Sequence, residues 1–492
     1  MPDFGFVGLS YTTPSITQDD QEAINFFAEI DPTKAQGERG VVALYPTPGL
    51  QTQVTLDADT PIRAMFTMSG GDYFVAVSGS SFYKINTSMV ATKVGTLSTS
   101  TGPVSISDNQ TSTGLIAFLA DGVNRYIYNF GTNTFTTLPS TDGPWQGANV
   151  VDSVDGYNIY NQPGTYNWAC TDLNSGLSTN AYYGSANGYP DDIVSLIVDR
   201  RQVYLLKEVT TEVWTDVGNI VPGITGFPFQ RVPGTMMQSG CGAPFSVARF
   251  GNSFAFVATD TRGDATIEMI DGYAFTRIST HAVEQSLLGQ RTNDAVAYTY
   301  QIEGHEMYVC TFPSVGENGI TWVYDLTTQS WHKWLYWDAP NAKYTRHRSN
   351  CGCFFQQMYL VGDYANGKIY SLENEQYTDA GDTIRRLRRA KHLTTDLQRQ
   401  FFESFQIQFQ PGVGLNLGQG QDPQAMLRWS NDGGSTWSNE HWVSIGKQGN
   451  YVNRALWRRL GWSRDRIFEV VVTDPIKAVI VSAELKASSG DN

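Results

Sequence analysis

The chain has 492 residues, of which 41% are hydrophobic, 13% aromatic and 17% charged, and its net charge at pH 7 is −14. This length allows two or more domains, and the shortage of charged residues beside abundant Gly, Asn, Ser and Thr favours an all-β protein over a helical one. The excess of carboxylates argues against tight binding of nucleic acid, since that affinity depends largely on Lys and Arg.

The acidity belongs to the first three quarters of the chain. Residues 1–374 carry 19 basic and 35 acidic side chains, whereas residues 375–492 carry 15 and 13. A soluble acidic protein is the simplest explanation, because net charge speaks to solubility rather than to fold. An acidic wall that DNA slides past by like-charge repulsion is the alternative.

The cysteines and the N-terminus bear on the compartment. The five cysteines are an odd number at low density, so the sequence predicts no disulfide framework and suits a reducing cytoplasm. They are Cys170, Cys241, Cys310, Cys351 and Cys353. The first 15 residues have neither the basic n-region nor the apolar h-region of a signal peptide. No run of residues approaches the ~18 apolar residues that a membrane helix needs. We therefore expect no membrane-spanning segment.

Residues 1–60 are predicted to form an N-terminal arm of irregular structure that packs on the C-terminal domain. Residues 18–23 are polar and favour a single helical turn. Farther on, Pro46, Pro48 and Gly49 predict a sharp change of direction. The arm contains no residues that suggest catalysis.

Residues 61–374 contain a repeat. Short apolar runs follow one another at intervals of 42 to 54 residues, most of them preceded by a turn and followed by a second aromatic strand. The runs are 73–77, 115–119, 157–161, 203–207, 253–257, 307–311 and 358–362. Units of this length with about four strands are typical of β-propeller blades, so we predict a propeller of six or seven blades. A row of sandwiches is the alternative, which the regular period disfavours.

The repeat is clearest at residues 306–334. Apolar runs at 307–311 and 320–324 are followed by a polar turn and a third run at 331–334. Alternating β-branched and aromatic residues predict antiparallel strands here. Residues 125–190 differ from the other units in being rich in Tyr, Asn, Gly and Ser. This stretch is either a sugar-binding face or, as we favour, a set of long loops.

Residues 375–492 are predicted to form a C-terminal β domain, most simply a sandwich, that serves as a docking platform. Residues 375–384 favour a linker. Six strands are expected after it, at 405–410, 425–429, 437–445, 456–460, 467–473 and 478–485. Strict alternation of apolar and polar residues in the first of these indicates a half-buried strand.

A basic cluster follows the predicted linker. It consists of Arg385, Arg386, Arg388, Arg389 and Lys391. Five cations within seven residues of an acidic chain predict a surface that docks an acidic partner or phosphates. An edge strand with solvated charges is the alternative.

Two patterns resemble catalytic or metal sites. Residues 430–437 fit the Asp box of sialidases, a turn motif that is structural in itself, and no visible arginine triad or nucleophile accompanies it. His347, Cys351 and Cys353 could ligate a metal, but no second ligand pair follows at zinc-site spacing, so a structural strand is favoured. We predict no catalytic, metal or cofactor site.

Two terminal stretches carry a family resemblance. QEAINFFAE at 21–29 with LYPTPGL at 44–50, and LWRRLG at 456–461 followed by strands at 468–472 and 479–485, resemble the packaged-DNA stabilisation proteins of short-tailed bacteriophages. These are also called tail hub or nozzle proteins. In between, Tyr324-Asp325 followed by Trp331 recurs at a comparable place.

The resemblance implies a structural virion protein in the phage tail, assembled in the host cytoplasm. Members of this family form a ring, usually of six copies, below the portal and its head-to-tail adaptor. The ring closes the exit channel, retains packaged DNA and later lets it pass. Implied partners are further copies of the chain, the adaptor, tail fibres, spikes or needle, and genomic DNA without sequence-specific binding.

Two other functions remain open at the level of the sequence. One is a propeller glycosidase that acts on host surface polysaccharide, suggested by the Asp box and the Tyr-rich stretch. The other is a propeller that serves as an interaction platform.

Overall fold

The computed structural model describes residues 4–13, 15, 20–34, 41–179, 181–218, 226–259, 263–395 and 397–490. Its regular structure is β-strand apart from one short helix among these residues, α1 (His281–Leu287). The all-β prediction is therefore confirmed. None of the described helical structure has the length and apolarity needed to cross a bilayer.

The N-terminal segment is built of strands. They are β1 (Tyr11–Thr12), β2 (Asp20–Ile24), β3 (Phe26–Ile30), β4 (Val42–Pro46) and β5 (Gly49–Thr55). The helical turn predicted at 18–23 is wrong for residues 20–23, while residues 18 and 19 lie outside the described part of the chain. Strand β2 has neighbours on both sides, and their backbone pairing overrides a weak local preference.

The first three propeller sheets have four strands each. Sheet one is β6 (Ile62–Thr67), β7 (Tyr73–Ser78), β8 (Ser81–Asn86) and β9 (Ala91–Thr96). Sheet two is β10 (Ser105–Thr111), β11 (Gly114–Ala120), β12 (Arg125–Asn129) and β13 (Thr134–Thr137). Sheet three is β14 (Val151–Val154), β15 (Tyr157–Asn161), β16 (Asn167–Cys170) and β17 (Tyr183–Ser185). Each is an antiparallel meander in chain order.

The remaining propeller strands continue in the same way. Sheet four is β18 (Ile193–Asp199), β19 (Gln202–Lys207), β20 (Thr211–Asp216) and β21 (Phe229–Arg231), and sheet five is β22 (Gly240–Cys241), β23 (Ala248–Phe250), β24 (Ser253–Thr259), β25 (Ala265–Asp271) and β26 (Ala274–Arg277).

Sheet six begins with β27 (Val296–Ile302), β28 (His305–Phe312), β29 (Ile320–Asp325) and β30 (Ser330–Lys333). The hairpin of β31 (Leu335–Asp338) and β32 (Lys343–Arg346) then leads to sheet seven, which contains β33 (Ser349–Phe355), β34 (Met358–Asp363) and β35 (Lys368–Glu373).

Seven sheets within the described residues form seven blades, and every predicted apolar run lies in the strand at the second position across a blade, which in sheet five is β24, since β22 and β23 both pair with it. These second strands are almost wholly buried, as β7, β11, β19, β24 and β28 illustrate. An apolar cluster lies between each pair of consecutive blades, including the last and the first. The blades therefore close into a ring, which removes the exposed faces that separate sheets would present.

The seventh blade is completed by a strand from the other end of the propeller sequence. Strand β5 pairs with β35 in antiparallel register, from Gly49 opposite Glu373 to Thr55 opposite Lys368. Leu50 is fully buried in the cluster between blades six and seven. This pairing joins the first and last parts of the propeller, so the ring is closed by backbone hydrogen bonds as well as by packing.

The C-terminal strands form a two-sheet sandwich, as predicted. After the short hairpin β36 (Thr378–Asp379) and β37 (Asp382–Thr383), the strands are β38 (Arg386–Arg389), β39 (Leu393–Thr394), β40 (Gln400–Phe409), β41 (Gln424–Ser430), β42 (His441–Ser444), β43 (Ala455–Arg458), β44 (Trp462–Ser463), β45 (Asp465–Val472) and β46 (Ile480–Ser489). One sheet contains β2-β38-β45-β41-β42, and the other β3-β4-β46-β40-β43.

Residues 375–384, predicted as a linker, are partly ordered into that hairpin, because β36 pairs in parallel with β5. The sandwich core includes Phe4, Phe6 and Phe26 beside Phe405 and Phe468. The N-terminal segment is thus part of the core of the sandwich. The division into residues 1–60, 61–374 and 375–492 stays a prediction.

One sheet runs without interruption from the propeller into the sandwich. Its order is β27-β28-β29-β30-β2-β38-β45-β41-β42. Strand β2 pairs in parallel with β30 of blade six and antiparallel with β38 of the sandwich. The N-terminal segment therefore supplies the strand that joins the two β units.

The closing strand gives a testable prediction. Replacing Leu50 by Ala removes a fully buried side chain between blades six and seven and should lower the free energy of unfolding by about 2–5 kcal/mol. Urea unfolding followed by tryptophan fluorescence measures the loss. Gln51→Ala, at an exposed position of the same strand, is the matched control and should change it by less than about 0.5 kcal/mol. Equal stabilities of the two variants would contradict this role for β5.

Candidate functional site

The junction between propeller and sandwich is organised around Asn25. This residue lies between β2 and β3, which belong to opposite sheets of the sandwich. Its φ of 59° lies in the left-handed region, which Asn tolerates better than most residues. A single residue in this conformation is what passes the chain from one sheet to the other.

The side chain of Asn25 is fully buried, and all of its polar atoms have partners. Nδ2 donates to the backbone oxygens of Leu335 and Arg385, both at 2.9 Å, and Oδ1 accepts from the Leu335 amide at 2.8 Å. The Asn25 amide donates to the Lys333 oxygen at 2.9 Å. Three segments far apart in sequence therefore meet on one side chain, which sequence reasoning missed because a lone Asn carries only a weak turn signal.

Side chains of opposite charge face one another between neighbouring strands of the same continuous sheet. We call them the charge ladder; from propeller to sandwich its residues are Lys333, Glu22, Asp20, Arg389, Glu469 and Arg428. Lys333 Nζ lies 2.5 Å from Glu22 Oε1, and Arg389 Nη2 lies 2.8 Å from Glu469 Oε2. Neighbouring strands place these side chains opposite one another, since Glu22 pairs with Arg389 and Arg389 with Glu469 in the backbone register.

The charge ladder is largely withdrawn from solvent. Glu469 is fully buried, and the side chains of Arg389 and Lys333 are each 17% exposed. Burial by itself would raise the pKa of Glu22, but Lys333 and Arg389 hold it below its ordinary value. The carboxylates of Glu22, Glu469 and Asp20 likewise outweigh burial and raise the pKa of Arg389. Buried charges of this kind are costly unless they are paired, so removing one residue of the charge ladder should destabilise the fold by leaving its partners uncompensated.

The predicted Asp box covers one end of the charge ladder. Asp432 Oδ1 accepts from the Ser430 hydroxyl and the Thr436 amide, and Oδ2 accepts from the Thr436 hydroxyl at 2.6 Å. These hydrogen bonds, that of the Thr436 hydroxyl first, lower the pKa of Asp432 to about 2. The motif's Trp437 ring lies under the guanidinium groups of Arg389 and Arg428, 5.1 and 4.7 Å from its centroid. The motif is therefore a turn that places the Trp437 ring against two arginines of the charge ladder.

A second polar contact ties the N-terminal segment to blade six. His305 is buried and lies between two carboxylates, with Nδ1 2.7 Å from Asp325 Oδ2 and Nε2 against Glu29 of β3. The hydrogen bond to Asp325 is the main cause that raises the pKa of His305 to about 8, and burial opposes it. His332 lies close by, and burial lowers its pKa to about 4. His305 is thus the cation of this site near neutral pH.

The predicted basic cluster is divided between the interior and the surface. Arg386 and Arg388 are fully buried, and Arg388 Nε donates to the Phe6 oxygen at 2.7 Å. Arg389 belongs to the charge ladder, Arg385 lies 4.7 Å over the Trp337 ring, and Lys391 is exposed. Strand β38 lies between β2 and β45, so the expectation of an edge strand is wrong. Docking of a partner by these five residues stays a prediction.

Burial dominates the chemistry of the candidate metal ligands. Cys351 and Cys353 pack against the cluster between blades seven and one, and burial raises both thiol pKa values, that of Cys353 to about 12. His347 stacks on Trp334 at 3.9 Å, and burial lowers its pKa to about 3. Within the described ranges, no group of three or more His, Cys, Asp or Glu could hold a metal ion.

The Tyr-rich stretch spans the last two strands of blade two, all of blade three and the loops around it. Tyr166, Tyr182, Tyr183 and Tyr189 are each at least 39% exposed. The buried Lys207 ammonium donates to the backbone oxygen of Tyr189 at 2.8 Å and so anchors the loop that carries this residue. These tyrosines are spread along the outer strand and two loops of the blade.

Two family models match the chain on either side of residue 380. The model described as "Bacteriophage P22 Gp10, beta-propeller" matches residues 18–377, and the model described as "Bacteriophage P22 Gp10, beta-sandwich" matches residues 385–488. The first alone covers well over half of the chain. The chain belongs to the bacteriophage P22 Gp10 family. The family resemblance seen in the sequence and the predicted combination of propeller and sandwich are thereby confirmed.

The charge ladder connects the two parts that the P22 Gp10 models recognise. Glu22 and Lys333 fall within the propeller match, whereas Arg389, Arg428 and Glu469 fall within the sandwich match. Asn25 likewise lies in the first match and binds the Arg385 oxygen in the second. The junction is therefore shared between both halves of the family architecture.

A relative of the chain is the tail hub protein gp10 of Salmonella phage P22. It is 23% identical over an alignment of 242 residues, and the match covers 45% of this chain and 50% of that protein. The chain therefore spans about half the length of the curated relative it matches.

Solved structures with partial similarity include the WD40 β-propeller domain of Doa1, with 11% identity and a TM-score of 0.39, and the computationally designed Ika8 protein, with 12% and 0.36. Each match covers 66% of this chain, with 98% of the Doa1 chain and 99% of the Ika8 chain. The strand pairing and the family models carry the fold assignment.

The role of Asn25 can be tested by Asn25→Gly, which keeps the left-handed backbone accessible but deletes three buried hydrogen bonds. Because the backbone groups of Leu335 and Arg385 are left without partners, we expect a loss of about 2–4 kcal/mol in the free energy of unfolding. Asn174→Gly is the control, since Asn174 also has positive φ but is exposed. It should cost less than about 1 kcal/mol. Similar losses in both variants would contradict a special role for Asn25.

The His305 site predicts a pH dependence. The folded pKa of about 8 exceeds the ordinary 6.5, so folding favours the protonated ring. This contribution is fully present below pH 6.5 and is lost as the pH rises through 8. Because Glu29 is 45% exposed, we expect about 1–2 kcal/mol. The free energy of unfolding should therefore fall by that amount across this range in the wild type, and the fall should be absent from His305→Asn. His281→Asn, at an exposed histidine, should retain it.

Proposed function

We propose that the chain is a structural subunit of a phage tail hub and has no catalytic role. The observation that carries this proposal is the family match, which extends through both the propeller and the sandwich. The name of the P22 relative, a tail hub protein, supports the same assignment. The Asp box gives no support to a glycosidase, because both oxygens of its carboxylate are engaged in the turn.

In this proposal the chain forms a ring, with six copies as the expected number, below the portal and adaptor. The ring closes the DNA exit, retains the packaged genome and lets it pass on ejection. The acidity of residues 1–374 favours passage without adhesion, because carboxylates repel phosphates. The cavity lined by the first strands of blades one, two, six and seven has a volume of about 150 Å³ and has no room for a DNA duplex, so in this proposal the DNA path lies between subunits.

The proposed domain roles follow from the junction. Residues 1–60 act as the arm that fastens the sandwich to the propeller through β2, Asn25 and the charge ladder. Residues 61–374 form the propeller wall, and residues 375–492 form the docking platform. A subunit whose two parts share one sheet would transmit load without a hinge at the boundary, which suits a channel under internal pressure.

The proposed partners are other copies of the chain, the adaptor, tail fibres, spikes or needle, and genomic DNA without sequence-specific binding. The proposed location is the virion tail, with assembly in the host cytoplasm. In the basic cluster, the residues available to a partner are Lys391 and the partly exposed Arg385. The buried Arg388 would act indirectly, by holding the N-terminal segment at the Phe6 oxygen, whereas the buried Arg386 donates to the Tyr377 and Asp474 oxygens.

Removal of the chain from the virus tests this function. Particles assembled without it should package DNA and then lose it, measured as nuclease-sensitive DNA in purified particles. Chain supplied in trans should restore retention, and electron microscopy of the restored particles should reveal a ring between the adaptor and the distal tail. Particles that retain DNA equally well without the chain would overturn the proposal.

A further inference from the structure

The open side of the sandwich presents the last strands of both sheets. Strand β42 ends one sheet and β43 lies at the edge of the other. The two are joined side by side, because Trp457 Nε1 donates to the His441 oxygen at 2.8 Å and Asn453 Nδ2 donates to the Ser444 oxygen at 2.9 Å. This side is therefore one continuous surface and not a cleft between sheets.

Alternation along β43 decides which side chains reach this surface. Ala455 and Trp457 are buried in the core, so Arg454 and Arg458 are exposed. We call the resulting surface the basic edge; its residues are Val452, Arg454, Arg458, Trp462 and Arg464, all of them exposed.

The arginines of the basic edge are not neutralised by the chain itself. Among the described residues, Arg454, Arg458 and Arg464 form no ion pair; Arg464 instead donates to the Leu397 oxygen at 2.6 Å. Two nearby carboxylates are already engaged, Glu403 with Lys486 and Asp465 with His392. The basic edge is therefore a local excess of positive charge on a chain whose net charge is −14.

Apolar side chains accompany these charges. Val452 is 91% exposed and Trp462 49%. Arg and Trp together, with an exposed aliphatic residue, match the composition of protein–protein contact centres. A DNA backbone offers phosphates to the arginines but no surface on which Val452 and Trp462 could bury their area. The composition thus favours a protein partner over DNA.

We propose that the basic edge docks on the acidic propeller of a second copy of this chain. The charge distribution supports this partner, since residues 1–374 sum to −16 and residues 375–492 to +2. Contact between unlike surfaces of identical subunits is heterologous, and repeated contacts of that kind close into a ring when the rotation allows. This inference rests on the proposed ring function and names the surface that would build it.

The test is the self-association of the full-length protein by sedimentation, in about 50 mM and about 500 mM NaCl, since salt screens exposed charges. Wild-type protein should associate in low salt and do so at least about tenfold more weakly in high salt. Arg454→Glu with Arg458→Glu should weaken the low-salt association by at least about tenfold. Val452→Asp should weaken it as well, through the apolar part of the surface. Both sites are exposed, so thermal unfolding should be unchanged.

The matched control is Lys93→Glu with Arg291→Glu, which makes the same change of net charge at exposed positions of the propeller. It should associate at least as well as the wild type, because it leaves the basic edge intact and makes the proposed partner surface more acidic. Wild-type association that survives the arginine reversal would overturn the basic edge while leaving the ring proposal intact, and so would a wild type that stays monomeric in low salt. Binding of a short DNA duplex that the arginine variant loses, with self-association unchanged, would assign the surface to DNA instead.

Discussion

The pairing of strand β2 with both β30 and β38 is the contact on which the rest of the molecule depends. Without β2, the last strand of blade six and the first strand of the sandwich sheet would each present an unpaired edge, with its backbone donors and acceptors in water. With it, an unbroken path of nine strands within one eleven-stranded sheet spans both β units. The N-terminal segment is thus a structural part of each.

Asn25 makes this arrangement possible within a single residue. Strand β2 must end in one sandwich sheet and β3 must begin in the other, and the left-handed backbone at Asn25 makes that turn. The amide side chain then replaces backbone pairing for Leu335 and Arg385, which the turn would otherwise leave unsatisfied. Asn25 therefore both turns the chain between the two sheets and supplies the hydrogen bonds that the turn would leave unmade.

Electrostatics reinforces the same boundary. The charge ladder places opposite charges on neighbouring strands, and the Asp-box turn covers it with Trp437. His305 adds a second ion pair between blade six and β3. Both sites join the N-terminal segment to another part of the chain.

The sequence by itself determined the repeat and its class. Seven apolar runs at regular intervals predicted a propeller of six or seven blades, and each run lies in a central strand, which is buried on both faces and must be apolar throughout. Alternation in the last quarter predicted the sandwich strands for the same local reason. Motifs at both ends identified the family.

Only the tertiary structure decided the fate of the N-terminal segment and of the basic cluster. The polarity of β2 suggests a surface turn, yet its carboxylates are the partners of Lys333 and Arg389 from far along the chain. Arg386 and Arg388 look like a docking surface in the sequence, yet they are buried against segments that pack on β38. Charge compensation between residues hundreds of positions apart leaves no local pattern, whereas periodic burial within one strand does.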